Sequence, residues 1–132
     1  MPNPPPGYTR VCPYLLYEDA GSAVEYLTTV FGFVLRFEQK GAAGRMHREL
    51  VLGEDGLVMI GQAGDSFKSA KRLDAYPSVL IHFYVDDVDA LHERARTAGA
   101  DVTELETAPA GDRRFTATDP EGQVWVFAQR VG

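Results

Sequence analysis

The feature of this 132-residue chain that most constrains its fold is a sequence pattern that occurs twice. In each half, a strand-like run ends in an acidic pair and leads into a helical pattern of apolar residues that closes at a glycine. Three pairs of matching landmarks are separated by nearly constant offsets: 68 residues from Asp19 to Asp87, 67 from Gly32 to Gly99, and 66 from Gly56 to Gly122. This regularity predicts a duplicated supersecondary module, in which each position has a mate in the other half.

Hydrophobic periodicity predicts the order βαβββ in each half. In the first half we expect a strand at 11–17, a helix between Asp19 and Gly32, a strand at 33–39, and a hairpin of 46–52 with 57–62. In the second half we expect a strand at 79–85, a helix capped by Asp86 or Asp87, a short strand near 102–105, and a hairpin of 113–118 with 123–129. The two modules are therefore expected to match element by element.

The length of the chain is that of one domain, because each half alone would bury too small a core. The proline-rich segment 1–10 is expected to be a stiff, extended tail, and residues 11–132 a single domain. That domain comprises module one (11–62), a linker (63–78) and module two (79–129). The linker lacks periodicity and is long for a passive connection, so it is either a lid over a site or a simple crossover.

Composition excludes several classes of function. The formal net charge is −6 and no basic stripe is present, so we expect no nucleic-acid partner. No apolar run approaches the roughly 18 residues that span a bilayer, and the N-terminus lacks a signal-peptide pattern, so no membrane partner is expected. The single cysteine, Cys12, rules out an internal disulfide and fits a reducing cytoplasm, where we expect the protein. The acidic charge either mildly favours a cationic ligand or simply aids solubility.

Two motifs within the repeat are similar to those of a known superfamily. Phe31-Gly-Phe33 follows the first helix, and Asp119-Pro-Glu-Gly122 precedes the last strand. Together with the two βαβββ modules, they resemble the vicinal oxygen chelate superfamily, and most closely its small glyoxalase/bleomycin-resistance proteins. The resemblance covers residues 11–129. It implies an α+β fold, in which two tandem βαβββ modules form a curled mixed sheet around a cavity, with the helices outside.

The resemblance also implies where a metal would be bound. Metal-dependent members place four ligands, usually His or Glu, on the first and last strand of each module. Carried over by spacing, these positions are Cys12, Ile60, Leu80 and Val126. A divalent cation needs three or four oxygen, nitrogen or sulfur donors, so we expect neither a metal nor another cofactor. A slip of two residues along a strand would bring Tyr14 or His82 into this set.

Strand alternation predicts which side chains face the cavity. In the strand 79–85 the apolar set lies under the helix, which leaves Leu80, His82 and Tyr84 inward, and the symmetric positions are Cys12, Tyr14 and Leu16. Because Val126 is expected to point inward, Trp125 and Phe127 are expected in the core. The alternative, in which Trp125 stacks on a ligand, requires a bulge that inverts the alternation.

The register expected for the two hairpins adds further cavity residues. A turn with Pro120 and Glu121 at its tip sets Phe115 opposite Val126 and Arg113 opposite Ala128, and the same register in the first half sets Glu49 opposite Ile60 and His47 opposite Gln62. The predicted ligand-binding residues are therefore Tyr14, His47, Glu49, Gln62, His82, Tyr84, Arg113 and Phe115. A few polar groups among apolar walls are typical of a small-molecule pocket.

Several of these side chains have a purely structural alternative. His47 and Glu49 could form a solvated pair on a strand edge, and His82 could be a hydrogen-bonded core histidine. Arg113 lies next to Asp112 and could form a surface ion pair rather than bind an anion. Cys12 is interpreted as a small buried residue rather than a reactive thiol.

These patterns favour a metal-free protein that binds a small aromatic or cationic molecule, as the antibiotic-sequestering, bleomycin-resistance-like members do. Sequestration needs no catalytic group, so an enzyme is the less favoured interpretation. The alternative is a glyoxalase-like lyase or isomerase, or a dioxygenase, with a metal site relocated to His47, Glu49 and His82 or with one of them as general base. Because the superfamily commonly builds pockets at or near a dimer interface, a homodimer is expected.

Overall fold

The computed structural model of the protein describes residues 2–41, 44–65, 67–74 and 78–132. Its helices are α1 (Ala20–Phe31), α2 (Ala70–Leu73) and α3 (Val88–Thr97). Its strands are β1 (Tyr14–Tyr17), β2 (Val34–Lys40), β3 (Met46–Leu52), β4 (Gly56–Gln62), β5 (Ile81–Tyr84), β6 (Asp101–Val102), β7 (Glu106–Thr107), β8 (Asp112–Thr118) and β9 (Val124–Arg130). Within these residues, no helix is long and apolar enough to cross a membrane.

The strands form two sheets of the same topology. The first sheet has the order β1-β4-β3-β2, and the second has the order β5-β9-β8-β6, with β7 also pairing with β8. In each sheet the first and last strands of the module are parallel and the others are antiparallel. The α+β class and the two βαβββ modules are thus confirmed, with the strands divided between two mixed sheets.

Both long helices begin at the predicted aspartates. The carboxylate of Asp19 accepts from the backbone N–H of Ser22, and that of Asp87 accepts from Ala90, which satisfies donors that the first turn leaves free. Helix α1 ends at Gly32, whose φ of 81° is left-handed and therefore favours glycine. The repeat thus reproduces its helix caps at the positions that the spacing indicates.

A second pair of helix contacts comes from the last strand of each module. Gln62 Oε1 accepts from the backbone N–H of Ala20 at 3.3 Å, and Gln129 Oε1 accepts from Val88 at 2.9 Å. The two glutamines are mates in the repeat, 67 residues apart. Gln62 also donates to the carbonyl of Glu18. Its amide is therefore used to hold the start of α1, a role that the sequence analysis did not anticipate.

The two modules share one hydrophobic core, which lies on the helix side of both sheets. Phe31 of α1 packs on Phe127 of the second sheet with ring centroids 4.8 Å apart, and it also contacts Trp125. Trp125 and Phe127 are fully buried, as strand alternation predicts. Burial of these large rings between the modules stabilises the pair as one unit, because aromatic side chains contribute most per residue to a core.

The turn Asp119–Gly122 joins the modules through polar contacts. Buried Asp119 accepts from the Tyr17 hydroxyl at 2.6 Å and from the Trp125 indole at 3.2 Å. Glu121 accepts from the backbone N–H groups of Glu18 and Asp19 at 2.6 and 2.9 Å. This turn therefore connects the end of β1 to the last hairpin, 102 residues away in sequence.

The register expected for the second hairpin is wrong by one residue. Phe115 pairs with Phe127 rather than Val126, because the turn between Thr118 and Val124 holds five residues. The Asp119 carboxylate holds that turn by accepting from two backbone N–H groups within it. A slip of one residue moves every side chain to the other face of the sheet. Phe115 is therefore buried in the core against Phe127.

Arg113 follows the same change of face. It forms a bidentate ion pair with Asp89 of α3, with an Nη2–Oδ1 distance of 2.8 Å. The expectation that Arg113 points into the cavity is therefore wrong. The structure instead shows the alternative, an ion pair, with Asp89 as the partner.

The first hairpin also differs by one residue from its expected register. Glu49 pairs with Met59, and Ile60 pairs with Arg48. Ile60 is therefore fully buried on the helix side, beside Leu15 in the parallel pair β1–β4. His47 and Glu49 lie with Met59 and Tyr14 on the opposite side. We call that side the open face of the first sheet.

Within its described residues, the linker contains a short helix that its lack of periodicity does not predict. Helix α2 begins at Ser69, whose buried hydroxyl accepts from the backbone N–H of Arg72. The Arg72 guanidinium donates to Glu18 at 2.7 Å and to Asp65 at 3.3 Å. These contacts attach the linker to the end of β1 in module one.

Candidate ligand-binding site

The open face of the first sheet carries a pocket of about 520 Å³. Among the described residues, its apolar walls come from Leu16, Met46 and Phe67, and its polar side chains include Arg45 and His47. Its lining is mostly apolar, which is usual for small-molecule sites. It includes a basic side chain and no carboxylate within the described part of the chain, so it does not favour a cationic ligand.

A chain of hydrogen bonds runs along one wall of this pocket. Tyr14 Oη lies 2.9 Å from His47 Nδ1, and His47 Nε2 lies 2.8 Å from Glu49 Oε2. The Tyr14 and His47 rings are in contact, with centroids 5.4 Å apart. Tyr14 is 49% exposed and lines the pocket, whereas Glu49 is 3% exposed and lies behind His47. Three of the predicted residues are therefore brought together in one polar chain.

Gly61 makes the contact between Tyr14 and His47 possible. Strand β4 lies between β1, which carries Tyr14, and β3, which carries His47. A Cβ added to Gly61 would lie 2.6 Å from Tyr14 Cε1, a distance that carbon atoms do not tolerate. The Tyr14 ring can therefore lie across the middle strand only because that position has no side chain.

Glu49 is held as a carboxylate by three donors. Besides His47, it accepts from the Tyr8 hydroxyl at 2.6 Å and from Arg36 Nη2 at 3.3 Å. Arg36 lies at a β-bulge between Leu35 and Phe37, where the pairing register of β2 shifts. Burial raises the pKa of Glu49, but the hydrogen bonds from Tyr8, His47 and Arg36 outweigh it, so the pKa is lowered.

The N-terminal segment is part of the site, contrary to the expectation of an extended tail. Its backbone turns at Pro5, whose carbonyl accepts from the N–H of Tyr8 at 3.1 Å. Arg36 lies over the Tyr8 ring at 4.6 Å and donates to the carbonyl of Gly7 at 2.8 Å. The hydrogen bond to Glu49 raises the pKa of Tyr8. Sequence reasoning missed Tyr8 and Arg36 because neither stands in a periodic pattern that points to Glu49.

His82 and Tyr84 line a different cavity, of about 620 Å³, which the hairpin β3–β4 and strand β5 border. His82 is exposed, so its alternative as a core histidine is wrong. Its ring contacts that of Tyr84 at 5.1 Å, and the Tyr84 hydroxyl donates to Asp112 at 2.9 Å. Within the described residues, no group of three or more His, Cys, Asp or Glu side chains is placed to hold a metal ion.

The strand pairing revises which positions are equivalent in the two modules. Tyr14 pairs with Met59 in the first sheet, and His82 pairs with Val126 in the second. These four residues are mates by offsets of 68 and 67. The set expected from spacing contained Ile60, which lies in the core, as well as Cys12 and Leu80, which precede the strands. Of the revised four, His82 alone is a strong ligand for a divalent cation, so the donor set does not fit the metal of the metal-dependent members.

The eight predicted site residues are thus distributed over four places. Tyr14, His47 and Gln62 line the pocket of the first sheet, Glu49 lies behind His47, His82 and Tyr84 line the second cavity, and Arg113 and Phe115 lie on the helix side.

Comparison with known proteins gives matches along nearly the whole chain. A family model described as Glyoxalase/Bleomycin resistance protein/Dioxygenase superfamily matches residues 10–127. An uncharacterized protein of Mycobacterium bovis is 33% identical over 125 residues, which cover 90% of this chain and 82% of the relative. TioX from Micromonospora sp. ML1 has a crystal structure with a TM-score of 0.71 and 32% identity, covering 92% of this chain and 98% of that chain. TnmS3, an antibiotic binding protein from Streptomyces sp. CB03234, shares the fold with a TM-score of 0.71 at 21% identity, covering 90% and 93%.

Proposed function

The chain belongs to the Glyoxalase/Bleomycin resistance protein/Dioxygenase superfamily, and we propose that it is a metal-free protein that binds and sequesters a small molecule. The observation that carries this proposal is the apolar pocket on the open face of the first sheet. Two polar side chains of its wall, Tyr14 and His47, are already hydrogen-bonded to each other, and His47 is also bonded to Glu49. Such a site can enclose an aromatic ligand by burial of apolar surface. The antibiotic-binding protein TnmS3 has the same fold, which supports an antibiotic as the kind of ligand.

Ligand binding is expected to stabilise the protein without consuming the ligand. A panel of planar aromatic antibiotics should include one that raises the melting temperature, with about 2.7 kcal/mol of stabilisation at about 100 times its dissociation constant. Leu16→Trp, which fills the pocket, should abolish the shift, whereas Val11→Trp at an exposed position outside it should not. Mass spectrometry should recover the ligand unchanged. A modified ligand, or a shift that survives Leu16→Trp, would contradict the proposal.

The second candidate function is an enzyme, and the hydrogen bond between His47 and Glu49 is the observation that favours it. A histidine hydrogen-bonded to a buried carboxylate is a recognised general base. Elemental analysis of protein purified without chelator distinguishes the relocated metal site. Stoichiometric metal that is lost in His47→Ala would support the enzyme and contradict sequestration.

We also propose a cytoplasmic homodimer. The free Cys12 supports a reducing compartment. Edge strand β2 exposes Val34, Leu35 and Phe37, and such an apolar strip is typical of an interface. Light scattering on the purified protein should give twice the mass of one chain, and Phe37→Lys should lower that value. A monomer at all concentrations would contradict the dimer.

A further inference from the structure

The hydrogen-bond chain on the open face leaves one atom in the pocket with unused capacity. A carboxylate can only accept, so His47 Nε2 carries a proton and donates it to Glu49. In the neutral ring, Nδ1 is then an acceptor, and the Tyr14 hydroxyl donates to it. Tyr14 has thereby used its only proton. Its oxygen still has an acceptor lone pair, has no hydrogen left to donate, and belongs to a side chain that lines the pocket.

We propose that the chain of Glu49, His47 and Tyr14 selects hydroxyaromatic ligands, whose O–H group donates a hydrogen bond to Tyr14 Oη. The inference rests on the proposed function, since it names the ligand class of the same pocket. A ligand that offers only an acceptor at this point finds no donor on Tyr14. A site that can only accept a hydrogen bond discriminates between ligands that offer a donor and ligands that offer only an acceptor, because a mismatched group leaves buried polar atoms unpaired.

The donor-to-acceptor direction of the hydrogen-bond chain is set at its buried end, by Glu49. Glu49 is anchored by Tyr8 and Arg36 as well as by His47, so its charge is localised behind the histidine. Hydrogen bonds in a row polarise one another, and a row that begins at a carboxylate makes the last oxygen a better acceptor. Tyr14 is that last oxygen, and its side chain is half exposed to the pocket.

The remaining walls suit a flat ligand with an electron-rich ring. Leu16, Met46 and Phe67 supply apolar surface, and the Phe67 side chain is 68% exposed. Arg45 is the one formally charged group of the lining within the described residues, and its guanidinium would favour the face of an electron-rich ring. In this arrangement the apolar walls contact the ring, and Tyr14 Oη accepts a hydrogen bond from the hydroxyl.

Three matched probes test the inference on the full-length protein: naphthalene, 2-naphthol and 2-methoxynaphthalene. They share one ring system and offer, respectively, no polar group, a donor and an acceptor. Binding is measured in mildly alkaline buffer, in which 2-naphthol keeps its proton. We expect 2-naphthol to bind about 3- to 10-fold more tightly than naphthalene, a difference that corresponds to one hydrogen bond. The methoxy probe should bind no more tightly than naphthalene.

Two variants separate the hydrogen bond from the pocket itself. Tyr14→Phe should remove the preference for 2-naphthol while keeping the affinity for naphthalene. His47→Leu frees the Tyr14 proton, so 2-methoxynaphthalene should gain affinity relative to naphthalene. Thermal unfolding of both variants checks that they are folded.

Equal affinity of the wild type for naphthalene and 2-naphthol would overturn the inference and leave the proposed pocket intact, as would a preference that survives Tyr14→Phe. Absence of binding by all three probes would overturn both the inference and the binding function. A nitrogen-15 spectrum of the ligand-free protein that places the His47 proton on Nδ1 would overturn the inference without any ligand.

Discussion

Replacing Asp119 with alanine is expected to lower the free energy of unfolding by about 3 to 5 kcal/mol. The buried carboxylate accepts from the hydroxyl of Tyr17, the indole of Trp125 and the backbone N–H groups of Glu121 and Gln123. Alanine would leave all four donors without their partner, and a buried unpaired donor costs about 1 to 3 kcal/mol. The loss should also loosen the contact between the modules, since Tyr17 belongs to the first and the turn to the second.

Urea unfolding monitored by the fluorescence of Trp125 measures this effect directly. Asp119→Asn should be less destabilised than the alanine variant, because its carbonyl oxygen can still accept from the backbone of the turn. Asp55→Ala in the turn of the first hairpin is the matched control, and its exposed side chain predicts a change within about 0.5 kcal/mol. Similar stability losses for Asp119→Ala and Asp55→Ala would contradict the role of Asp119 in joining the modules.

Much of the fold could be predicted because its determinants are local in sequence. Asp19 and Asp87 cap their helices through N–H groups three residues ahead, and Gly32 ends α1 with a left-handed residue. Alternation along β9 places Trp125 and Phe127 in the core. Each of these features depends on a few neighbouring residues, so a period and a cap residue suffice to find it.

The hairpin registers could not be predicted because they depend on the number of residues in a turn. The side chain of Asp119 stabilises a five-residue turn before Val124, and the length of that turn decides whether Phe115 faces a helix or a pocket. In the first hairpin, an error of one residue in the expected register likewise placed Ile60 in the cavity, whereas it lies in the core. A constant offset between landmarks locates a strand, but it does not fix the face of each residue, since an error of one residue inverts all of them.

Part of the candidate site could be predicted from the sequence, and part of it could not. Tyr14 was predicted from strand alternation, and His47 and Glu49 were predicted from a hairpin register that is wrong by one residue. The three side chains nevertheless lie together as a hydrogen-bonded chain. Tyr8 and Arg36 were missed, because Tyr8 reaches Glu49 across 41 residues and Arg36 depends on a bulge. These long-range contacts decide the charge state of Glu49, so the sequence indicated the residues of the site but not their electrostatics.

The stability of the protein should therefore depend on pH through Glu49. Its folded-state pKa is lowered: burial opposes the charge, and the hydrogen bonds from Tyr8, His47 and Arg36 outweigh burial. A carboxyl group with a depressed pKa contributes stability that is present above its unfolded pKa of about 4.3 and is lost as the pH falls through its folded value. The side chains that face it are Arg36 on β2, His47 on β3 and Tyr8 of the N-terminal segment.

Glu49→Gln is expected to lower the free energy of unfolding by about 2 kcal/mol at neutral pH, because hydrogen bonds to a charged group become hydrogen bonds to a neutral one. The difference between wild type and variant should shrink as the pH falls below about 4.3, since both side chains are then neutral. Tyr8→Phe removes one of the three donors and brings the folded-state pKa of Glu49 closer to its unfolded value, so the stability of this variant should fall less than that of the wild type as the pH drops below about 4.3. Urea unfolding at several pH values measures all three proteins. A difference between wild type and Glu49→Gln that stays constant from neutral pH down to about pH 3 would show that the Glu49 charge does not stabilise the fold.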